Sequence, residues 1–352
     1  MQSHVKFPTL GSCLIAAAAF LGVSAAHAAD LTITSFGGVY QHSQDEAIFK
    51  PFEAKTGIAI KQDEWNGELG KVRAMVQAKS VTWDLVDIET AELVAGCDEG
   101  LFDRIDLKAI HDPNDFVPGG TSPCGVATAV WANVFAYDNS RIGPKKPRTS
   151  ADFFDIKTWP GKRGLHKTPK NVLEFALMAD GVKPVDVYKV LATEKGVDRA
   201  FRKLDTIKKD IVWWEAGAQP MQLLADGQVV MTTAYGGRVW TAIHQDKKPF
   251  VVVWHNQIYD MDWWAIPKGA PHKKTALEFI KFASEPSILK NQSKWVGVGP
   301  AVKSAIPLVD KSIMKDLPTD PSNLHDALSN DAQFWADHFD SLNQRFQAWL
   351  AK

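Results

Sequence analysis

The 352-residue chain has little cysteine, almost no net charge and no long hydrophobic run. It contains 3 cysteines, and its 40 Lys+Arg nearly cancel its 41 Asp+Glu, giving a formal net charge of −1. Such a balance provides no field for attracting nucleic acid or an anionic membrane. No stretch beyond the amino-terminal region approaches the roughly 20 apolar residues that span a bilayer. We therefore predict a protein that neither binds nucleic acid nor crosses a membrane.

Sequence signatures of hydrolases are also missing. The chain has no Gly-x-Ser-x-Gly, no His-Glu-x-x-His and no cysteine set beside a motif that would activate it. The histidines at His166, His244 and His255 are isolated along the chain. We predict that the protein is not an enzyme and needs no cofactor or metal, and we keep a secreted hydrolase as the less favoured alternative.

The first 29 residues have the pattern of a signal peptide. Lys6 gives a weakly positive start, residues 14–23 are apolar, and Ala26-His-Ala28 is an Ala-x-Ala cleavage signal. We expect cleavage near Ala28 or Ala29 and export to the periplasm. Cys13 is removed with this segment, which leaves Cys97 and Cys124. In an oxidising compartment this pair favours a disulfide, with two buried thiols as the alternative.

Strand and helix patterns alternate along the rest of the chain. Leu31-Thr-Ile-Thr34 alternates as a strand does, the next segment has Ile48, Phe49 and Phe52 at helical spacing, and strands follow from Ile58 and from Trp83. This order predicts an α/β fold with parallel strands covered by helices. About 320 residues exceed one ordinary core, so we expect two lobes.

The lobes can be assigned from one long apolar segment and a repeat of the opening pattern. Residues 126–137 are long enough to run through two cores and are interpreted as the first crossover. We predict one lobe from 30–132 plus 255–305 and a second from 133–254, where strands and paired glycines recur. Residues 306–352 are predicted to be mainly helices packed on the lobes.

Candidate ligand residues lie where the predicted strands end. Ligands of open α/β sheets bind beyond the carboxyl ends of the strands, near helix amino termini. The candidates at these ends are Phe36, Gly37, Gly38, Tyr40, Trp65, Glu89, Asn171, Trp214, Tyr235, Gly237 and Arg238. A tight turn without ligand is an equal alternative for Gly37-Gly38, and a helix cap or solvated turn is one for Glu89.

Residues 250–269 carry the most informative pattern. A strand through Val251 to Trp254 is followed, after His255-Asn-Gln, by a second strand-like segment in which Asp260, Asp262 and Trp264 share one face. Because an unpaired buried carboxylate is costly, this face meets either water or a cation. Carboxylates beside an indole suit an ammonium group. A wet strand end is the alternative.

Several motifs together resemble the solute-binding proteins of ABC importers. They are the early strand followed by Gly-Gly, Trp83-Asp-Leu-Val-Asp87, Ala225-Asp-Gly-Gln-Val-Val-Met-Thr-Thr-Ala-Tyr-Gly-Gly-Arg238, Met261-Asp-Trp-Trp-Ala-Ile-Pro-Lys-Gly269 and Gly297-Val-Gly-Pro300. Within that family the order resembles the spermidine/putrescine-binding branch. The resemblance implies a two-lobed periplasmic-binding-protein fold of type II, with a sheet and flanking helices in each lobe, crossover strands between them and hinge closure on the ligand.

The resemblance also implies roles for single residues. Tyr235 falls where an aromatic ring stacks on the ligand, Asp262 where a carboxylate binds an ammonium group, and Phe36 and Gly37 in the first contact loop. One departure concerns Thr168-Pro-Lys-Asn171, which carries Lys170 where polyamine binders have an acidic residue. Lys170 and Arg238 would suit a ligand that also bears a carboxylate.

The sequence as a whole predicts the binding component of an ABC importer. We expect a small cationic or amine solute, with a polyamine such as spermidine or putrescine favoured, and an amino-acid conjugate or opine, zwitterionic or anionic, as the alternative. The expected partners are this ligand and a membrane permease with its ATPase. A monomer is expected.

Overall fold

The computed structural model describes residues 1–2 and 31–352. The apolar core and the cleavage signal of the predicted signal peptide lie outside the described residues. No helix in the described ranges is long and apolar enough to cross a membrane.

Ten strands form one hydrogen-bonded sheet. They are β1 (Leu31–Ser35), β2 (Ile60–Glu64), β3 (Leu85–Glu89), β4 (Gly125–Asp138), β5 (Arg163–His166), β6 (Ile211–Trp214), β7 (Met231–Tyr235), β8 (Phe250–Ala265), β9 (Gly299–Pro300) and β10 (Leu328–Ser329). The order is β2-β1-β3-β8-β4-β7-β5-β6, with β9 on β4 and β10 on β8. We call β1–β3 with their helices the first lobe and β5–β7 with theirs the second lobe.

Sixteen α-helical segments surround the described part of the sheet. They are α1 (Gly38–Gln44), α2 (Lys50–Thr56), α3 (Leu69–Gln77), α4 (Thr90–Asp98), α5 (Leu107–Ile110), α6 (Ser150–Phe154), α7 (Val172–Ala179), α8 (Val187–Leu191), α9 (Glu194–Asp205), α10 (Gln219–Ala225), α11 (Gly236–His244), α12 (Lys273–Ala283), α13 (Pro286–Leu289), α14 (Lys311–Met314), α15 (Pro321–Leu324) and α16 (Ala332–Leu350). A π-helical turn, Asp45–Phe49, joins α1 to α2. Shorter 3-10 turns span Pro113–Asp115, Pro184–Asp186, Lys208–Asp210, Gln292–Lys294 and Lys303–Leu308.

The pairing within each lobe is parallel, as the alternating pattern predicts. β1 pairs in parallel with β2 and β3, and β5 pairs in parallel with β6 and β7. Ile48, Phe49 and Phe52 of the first helical segment are fully buried against this sheet, so the predicted apolar stripe is confirmed. Helix α2 ends at Gly57, whose φ of 74° allows the left-handed turn. The α/β fold with two crossover-linked lobes is confirmed.

Two long strands join the lobes. β4 and β8 pair antiparallel along most of their length, and each also pairs with a strand of one lobe: β8 with β3, and β4 with β7. β8 continues as one strand through the predicted break at His255-Asn-Gln, but residues 254–257 have no partner in β4, so the interruption is in the pairing and not in the strand. Asn256 has a φ of 60°, and its side chain is held by the Ser150 hydroxyl at 2.7 Å and the Asp326 carbonyl at 3.1 Å. A register shift in β4 between Asn133 and Phe135 accompanies this bend.

The carboxyl-terminal region contributes to the sheet as well as to the helical layer. β10 pairs with β8, with Leu328 opposite Ile258, which the helical prediction for this region missed. In α16, Phe346 and Trp349 pack against Phe201 of the second lobe, with ring centroids 6.5 and 5.6 Å from it. Phe339 of the same helix is 38% exposed.

The predicted disulfide between Cys97 and Cys124 is present. It links the end of α4 to the residue before β4, with the two Cα atoms 5.8 Å apart. The bridge therefore ties the first crossover strand to the helix that follows Glu89.

Replacing both cysteines by serine should destabilise the protein without changing its fold. The bridge joins residues 27 apart, and closing a loop of this size stabilises by about 3 kcal/mol through the unfolded chain. We expect urea unfolding of the double variant to show a free energy lower by about that amount. Wild-type protein unfolded in a reducing agent should behave like the variant. An unchanged midpoint in both experiments would contradict a stabilising bridge.

Candidate functional site

Three carboxyl groups lie together where β3 and β8 pair. Glu89 at the end of β3 is directly opposite Asp262 of β8, and Asp87 is two residues earlier on the same face of β3. Directly opposed residues of an antiparallel pair have Cβ atoms about 5 Å apart, and like charges there repel. Asp87 and Asp262 are buried and Glu89 is partly buried. The strand pairing thus concentrates negative charge at one point of the sheet.

Burial makes this charge difficult to maintain. Burial raises the pKa of Glu89 to about 7, the carboxylates of Asp260 and Glu92 add to the rise, and Lys170 opposes it. Burial likewise raises the pKa of Asp87 to about 7, although hydrogen bonds, chiefly from Gln44, lower it. For Asp262, burial followed by the charges of Asp87 and Glu89 holds the pKa well above the ordinary value. A cation at this point would stabilise the ionised carboxylates, because it offsets both the cost of burying them and the repulsion between them.

Two polar atoms beside these carboxyls have unused bonding capacity. Asp87 Oδ2 accepts bonds from the Ser35 hydroxyl at 3.3 Å and from the Gln44 amide, whereas within residues 31–352 no group donates to Oδ1. The buried Tyr40 hydroxyl faces Asp262 and Asp87 without an aligned partner among the same residues. Burial and then these two charges raise the pKa of Tyr40 well above its ordinary value.

Asp260, by contrast, already has its hydrogen bonds. Its carboxylate accepts the Thr90 hydroxyl, the Met261 N–H at 2.8 Å and the Asn330 amide at 2.7 Å. The Asn330 side chain also accepts from the Tyr188 hydroxyl of the second lobe at 3.4 Å. Asp260 therefore joins β8 to the segment between β10 and α16, and its contacts do not require a ligand.

Aromatic rings from the first lobe stand beside the carboxyl groups. Phe36 is stacked on Trp65 with centroids 6.4 Å apart and meets Tyr40 edge-on at 6.0 Å. The Trp65 indole donates to the Asp87 carbonyl at 2.9 Å, which fixes this row against β3. Gly37 has a φ of 69°, and a Cβ there would lie 2.6 Å from the Glu64 carboxylate, so this position of the turn requires glycine.

The second lobe presents its own aromatic group on the other side. Tyr235, the last residue of β7, meets Trp131 of β4 at 6.1 Å and Trp214 at 5.9 Å, both edge-on. Trp214 is stacked on His166 at 4.1 Å. Burial and then the charge of Glu89 raise the pKa of Tyr235, so its hydroxyl is within electrostatic range of that first-lobe carboxyl.

A lysine reaches the same region from the second lobe. Lys170 precedes α7 and is partly buried, and its charge acts on Glu89 and Asp260 of the first lobe as well as on Glu174 of its own lobe. The next residue, Asn171, has a φ of 69° and forms the turn that starts α7. The second lobe therefore contributes a cation within electrostatic range of the first-lobe carboxyl groups.

Most of the predicted site residues lie around these carboxyl groups, but several are buried in a core or exposed away from the carboxyl groups. Trp264 is in the core of the first lobe, 5.4 Å from Phe279 and 6.3 Å from Phe49, so it does not line the cleft. Trp214 is 1% exposed and lies behind Tyr235. Arg238 is exposed on the first turn of α11, and a Cβ on Gly237 beside it would lie 3.7 Å from Val296 Cγ2, an ordinary contact. Gly38 is exposed at the start of α1.

Sequence reasoning did not select Asp87, Trp131 or Asn133. Asp87 is a carboxyl inside an apolar strand, two residues before Glu89, and that spacing was a usable signal. Trp131 and Asn133 lie on β4 opposite Asp260 and Tyr235 respectively, inside a segment whose apolar character hid them.

One cluster outside this region has metal-ligand chemistry. Ligand atoms of His42, Asp45 and Glu46 lie within 4.8 Å of one another near the surface. The Lys50 ammonium already pairs with both acids, at 3.1 Å from Asp45. This cation explains the cluster without a metal ion.

Comparison with known proteins identifies the family. Residues 47–321 match the family model described as bacterial extracellular solute-binding protein. The chain belongs to this family. Its members are substrate-binding proteins of transporters rather than enzymes, so the predictions of a solute-binding protein and of no enzymatic activity are both confirmed.

Individual relatives separate the two ligand predictions. The chain is 49% identical to the gamma-aminobutyric acid-binding protein of Pseudomonas aeruginosa over 334 residues, covering 95% of this chain and 94% of the relative. The structure of the Atu4243-GABA receptor has a TM-score of 0.78 at 33% identity, covering 92% and 98% of the two chains. That of MotA from A. tumefaciens B6 with glucopine has a TM-score of 0.76 at 32% identity, covering 91% and 99%.

The polyamine-binding relatives are more distant. The spermidine/putrescine-binding periplasmic protein of Escherichia coli is 22% identical over 313 residues, covering 86% of this chain and 87% of the relative. Membership in the solute-binding family is thus confirmed, whereas the polyamine branch is not. The relatives favour the alternative prediction of a zwitterionic or anionic solute of the amino-acid-conjugate or opine type.

Replacing Asp260 should lower the free energy of unfolding of the ligand-free protein, whereas replacing Asp262 should not. Asp260→Ala leaves three donors without an acceptor, and we expect a loss of about 3 kcal/mol in the free energy of unfolding. Asp262→Asn removes repulsion with Glu89, so we expect no loss, or a gain of up to about 1 kcal/mol. Chemical denaturation measures both. Equal losses would show that Asp262 is also structural.

Proposed function

We propose that this protein captures a small zwitterionic amino acid, with γ-aminobutyrate favoured, and delivers it to an ABC permease. The observation that carries the proposal is the facing arrangement of charge: the carboxyl groups of Glu89 and Asp262 in the first lobe, and Lys170 in the second. A ligand with an ammonium group at one end and a carboxylate at the other would neutralise both sides. The relative that is 49% identical supports the same class of ligand.

The second lobe argues against a diamine. The second ammonium of putrescine or spermidine would approach Lys170, a like charge. Two acidic residues near the end of β5 have other contacts: Glu215, which follows the paired strand β6, pairs with Lys167 at 2.9 Å, and buried Glu174 accepts the Trp335 indole N–H at 2.7 Å. Glu215 is therefore already paired, and Glu174 is completely buried and within electrostatic range of Lys170, so neither is an accessible partner for a distal ammonium group.

The proposed binding mode divides the ligand into three parts. Asp262 and Glu89 accept the ammonium group, and Tyr235, Tyr40 and Phe36 cover the short carbon chain. Lys170 and the turn at Asn171 receive the carboxylate. Trp65 supports this wall, and at Gly37 and Gly237 the backbone, without a side chain, would approach the ligand closely. Two or three charge-assisted hydrogen bonds plus this small burial suffice for micromolar affinity, on the order of −8 kcal/mol.

Delivery follows from hinge closure. Carboxylates of one lobe and the lysine of the other bind the same ligand only when the lobes are together, so the ligand favours the closed form. The proposed lobes are 30–132 plus 255–305 and 133–254, with the carboxyl-terminal helices packed on them. The protein would act as a periplasmic monomer after removal of the signal peptide.

A set of matched ligands tests the assignment. γ-Aminobutyrate carries both charges, butyrate lacks the ammonium group, and putrescine replaces the carboxylate by a second ammonium group. We expect only γ-aminobutyrate to raise the melting temperature clearly, since a ligand at about 100 times its Kd stabilises by about 2.7 kcal/mol. A shift with putrescine alone would overturn the proposal. A shift with glucopine but not γ-aminobutyrate would keep the class and change the ligand.

Single variants assign the two ends of the ligand. Asp262→Asn and Lys170→Gln should each weaken binding of γ-aminobutyrate by at least about tenfold, because each removes one charge-assisted contact of about 1.5–3 kcal/mol. Lys167→Gln is the matched control, since Lys167 is exposed in the same loop and pairs with Glu215. Isothermal titration calorimetry measures all three. Unchanged affinity in Lys170→Gln would move the carboxylate contact elsewhere.

A further inference from the structure

The carboxyl cluster of the site contains more acid than its surroundings neutralise. We call Asp87, Glu89 and Asp262 the acidic triad. Glu89 and Asp262 are opposite each other across two paired strands, and Asp87 is one pleat away on the same face. The charged and titratable groups that act on the triad from neighbouring elements are Tyr40 of α1, Glu92 of α4, Lys170 before α7, Tyr235 of β7 and Asp260 of β8.

Only one charge in that set is positive. Lys170 faces Glu89, but it also acts on Asp260 and Glu174. Tyr40 and Tyr235 are neutral at ordinary pH, since burial and the nearby acids raise the pKa of both hydroxyls. Full ionisation of the triad would therefore place three negative charges in a mostly buried space beside a shared lysine. Two carboxylates that close together do not both ionise readily.

Unused bonding positions in the triad fit the presence of a proton. Across the described chain, Asp87 Oδ1 receives no hydrogen bond, and the Tyr40 hydroxyl beside Asp87 and Asp262 has no aligned partner. A protonated carboxyl can donate to a neighbouring carboxylate or to a phenol oxygen, whereas an ionised one can only accept. The raised pKa values of Asp87 and Glu89, about 7 for each, agree with a proton shared within the triad near neutral pH.

We propose that the empty site holds a proton on the acidic triad and that the ammonium group of the ligand displaces it, so that binding releases a proton to solvent. The inference rests on the proposed function, because it requires an ammonium-bearing ligand. In the exchange the carboxylic O–H bond breaks and its proton passes to water or buffer. The carboxylate left behind accepts an N–H of the ligand. No oxidant or further reactant takes part.

The exchange fixes the sign of the pH dependence. The triad must lose its proton before it can accept the ammonium group, so acid competes with the ligand. For one group that titrates near pH 7 only in the empty form, the apparent Kd rises about tenfold between about pH 8 and about pH 6. The amine and carboxylate of γ-aminobutyrate keep their charges over this range, because such groups titrate near pH 10 and pH 4. The change of the apparent Kd with pH is then due to a group of the protein and not to the ligand.

Calorimetric titration of the wild-type protein with γ-aminobutyrate tests the exchange directly. At about pH 7 the measured heat should vary with the ionisation enthalpy of the buffer, with a slope that corresponds to about half a proton or more released per ligand. The affinity should fall on going from about pH 8 to about pH 6, as given above. Heat that is independent of the buffer, together with constant affinity, would overturn the exchange while leaving the proposed function intact. Absence of binding at every pH would overturn the proposed function instead.

Two variants locate the proton. Glu89→Gln removes one of the two carboxylates proposed to accept the ammonium group, so we expect weaker binding at about pH 8. Because the same change removes a titrating group, we also expect a smaller buffer-dependent slope and less change in Kd with pH. Glu68→Gln is the control: Glu68 is an exposed glutamate before α3 with no side-chain cap bond, and its slope should equal that of the wild type. An undiminished slope in Glu89→Gln would remove Glu89 from the exchange. Should that variant fail to fold, the wild-type buffer series decides alone.

Discussion

The antiparallel pairing of β4 with β8 is the constraint on which the rest of the structure depends. These strands extend through both lobes, and β8 also pairs with β3 while β4 also pairs with β7. Because the register of paired strands fixes which side chains oppose one another, Asp262 is placed against Glu89 and Asn133 against Tyr235. A slip of one residue in β8 would turn Asp262 into the core and bring Trp263 to the cleft. The acidic part of the site is therefore built by the sheet, whereas Phe36 and Lys170 come from the loops that follow β1 and β5.

The fold follows from local patterns in the sequence, and the site follows from them only in part. Alternation of strand and helix predicts the parallel lobes, and the two-residue period in β8 correctly predicts that Asp260, Asp262 and Trp264 share a face. The period does not give depth along that face, and Trp264 lies one pleat deeper, packed on Phe279. A two-residue period gives the face of the strand on which a side chain lies, whereas the burial of that side chain depends on helices that are distant in sequence.

Asp260 shows a second reason for the incomplete prediction. Its acceptors are satisfied by Thr90 and Asn330, which are 170 and 70 residues away. No spacing in the sequence indicates those contacts, so Asp260 and Asp262 have the same pattern but different surroundings. Likewise, the continuity of β8 through Asn256 depends on Ser150 and Asp326, again distant in the chain. Long-range hydrogen bonds separate structural polar residues from those left for a ligand.

For the proposed zwitterionic ligand, the placement of charge explains selectivity in a way that the shape of the site alone does not. Glu89 and Asp262 are directly opposite each other, so their ionised forms repel, and an ammonium group bound between them would remove that repulsion. Lys170, in the second lobe, instead requires a negatively charged group. A diamine satisfies the first and opposes the second, and a simple carboxylic acid does the reverse. A zwitterion that reaches from the carboxyl groups to Lys170 forms an ion pair at each end, so neither its own charges nor those of the protein are left unpaired. Selectivity would then arise from the cost of leaving either side unpaired, a cost already present in the ligand-free protein.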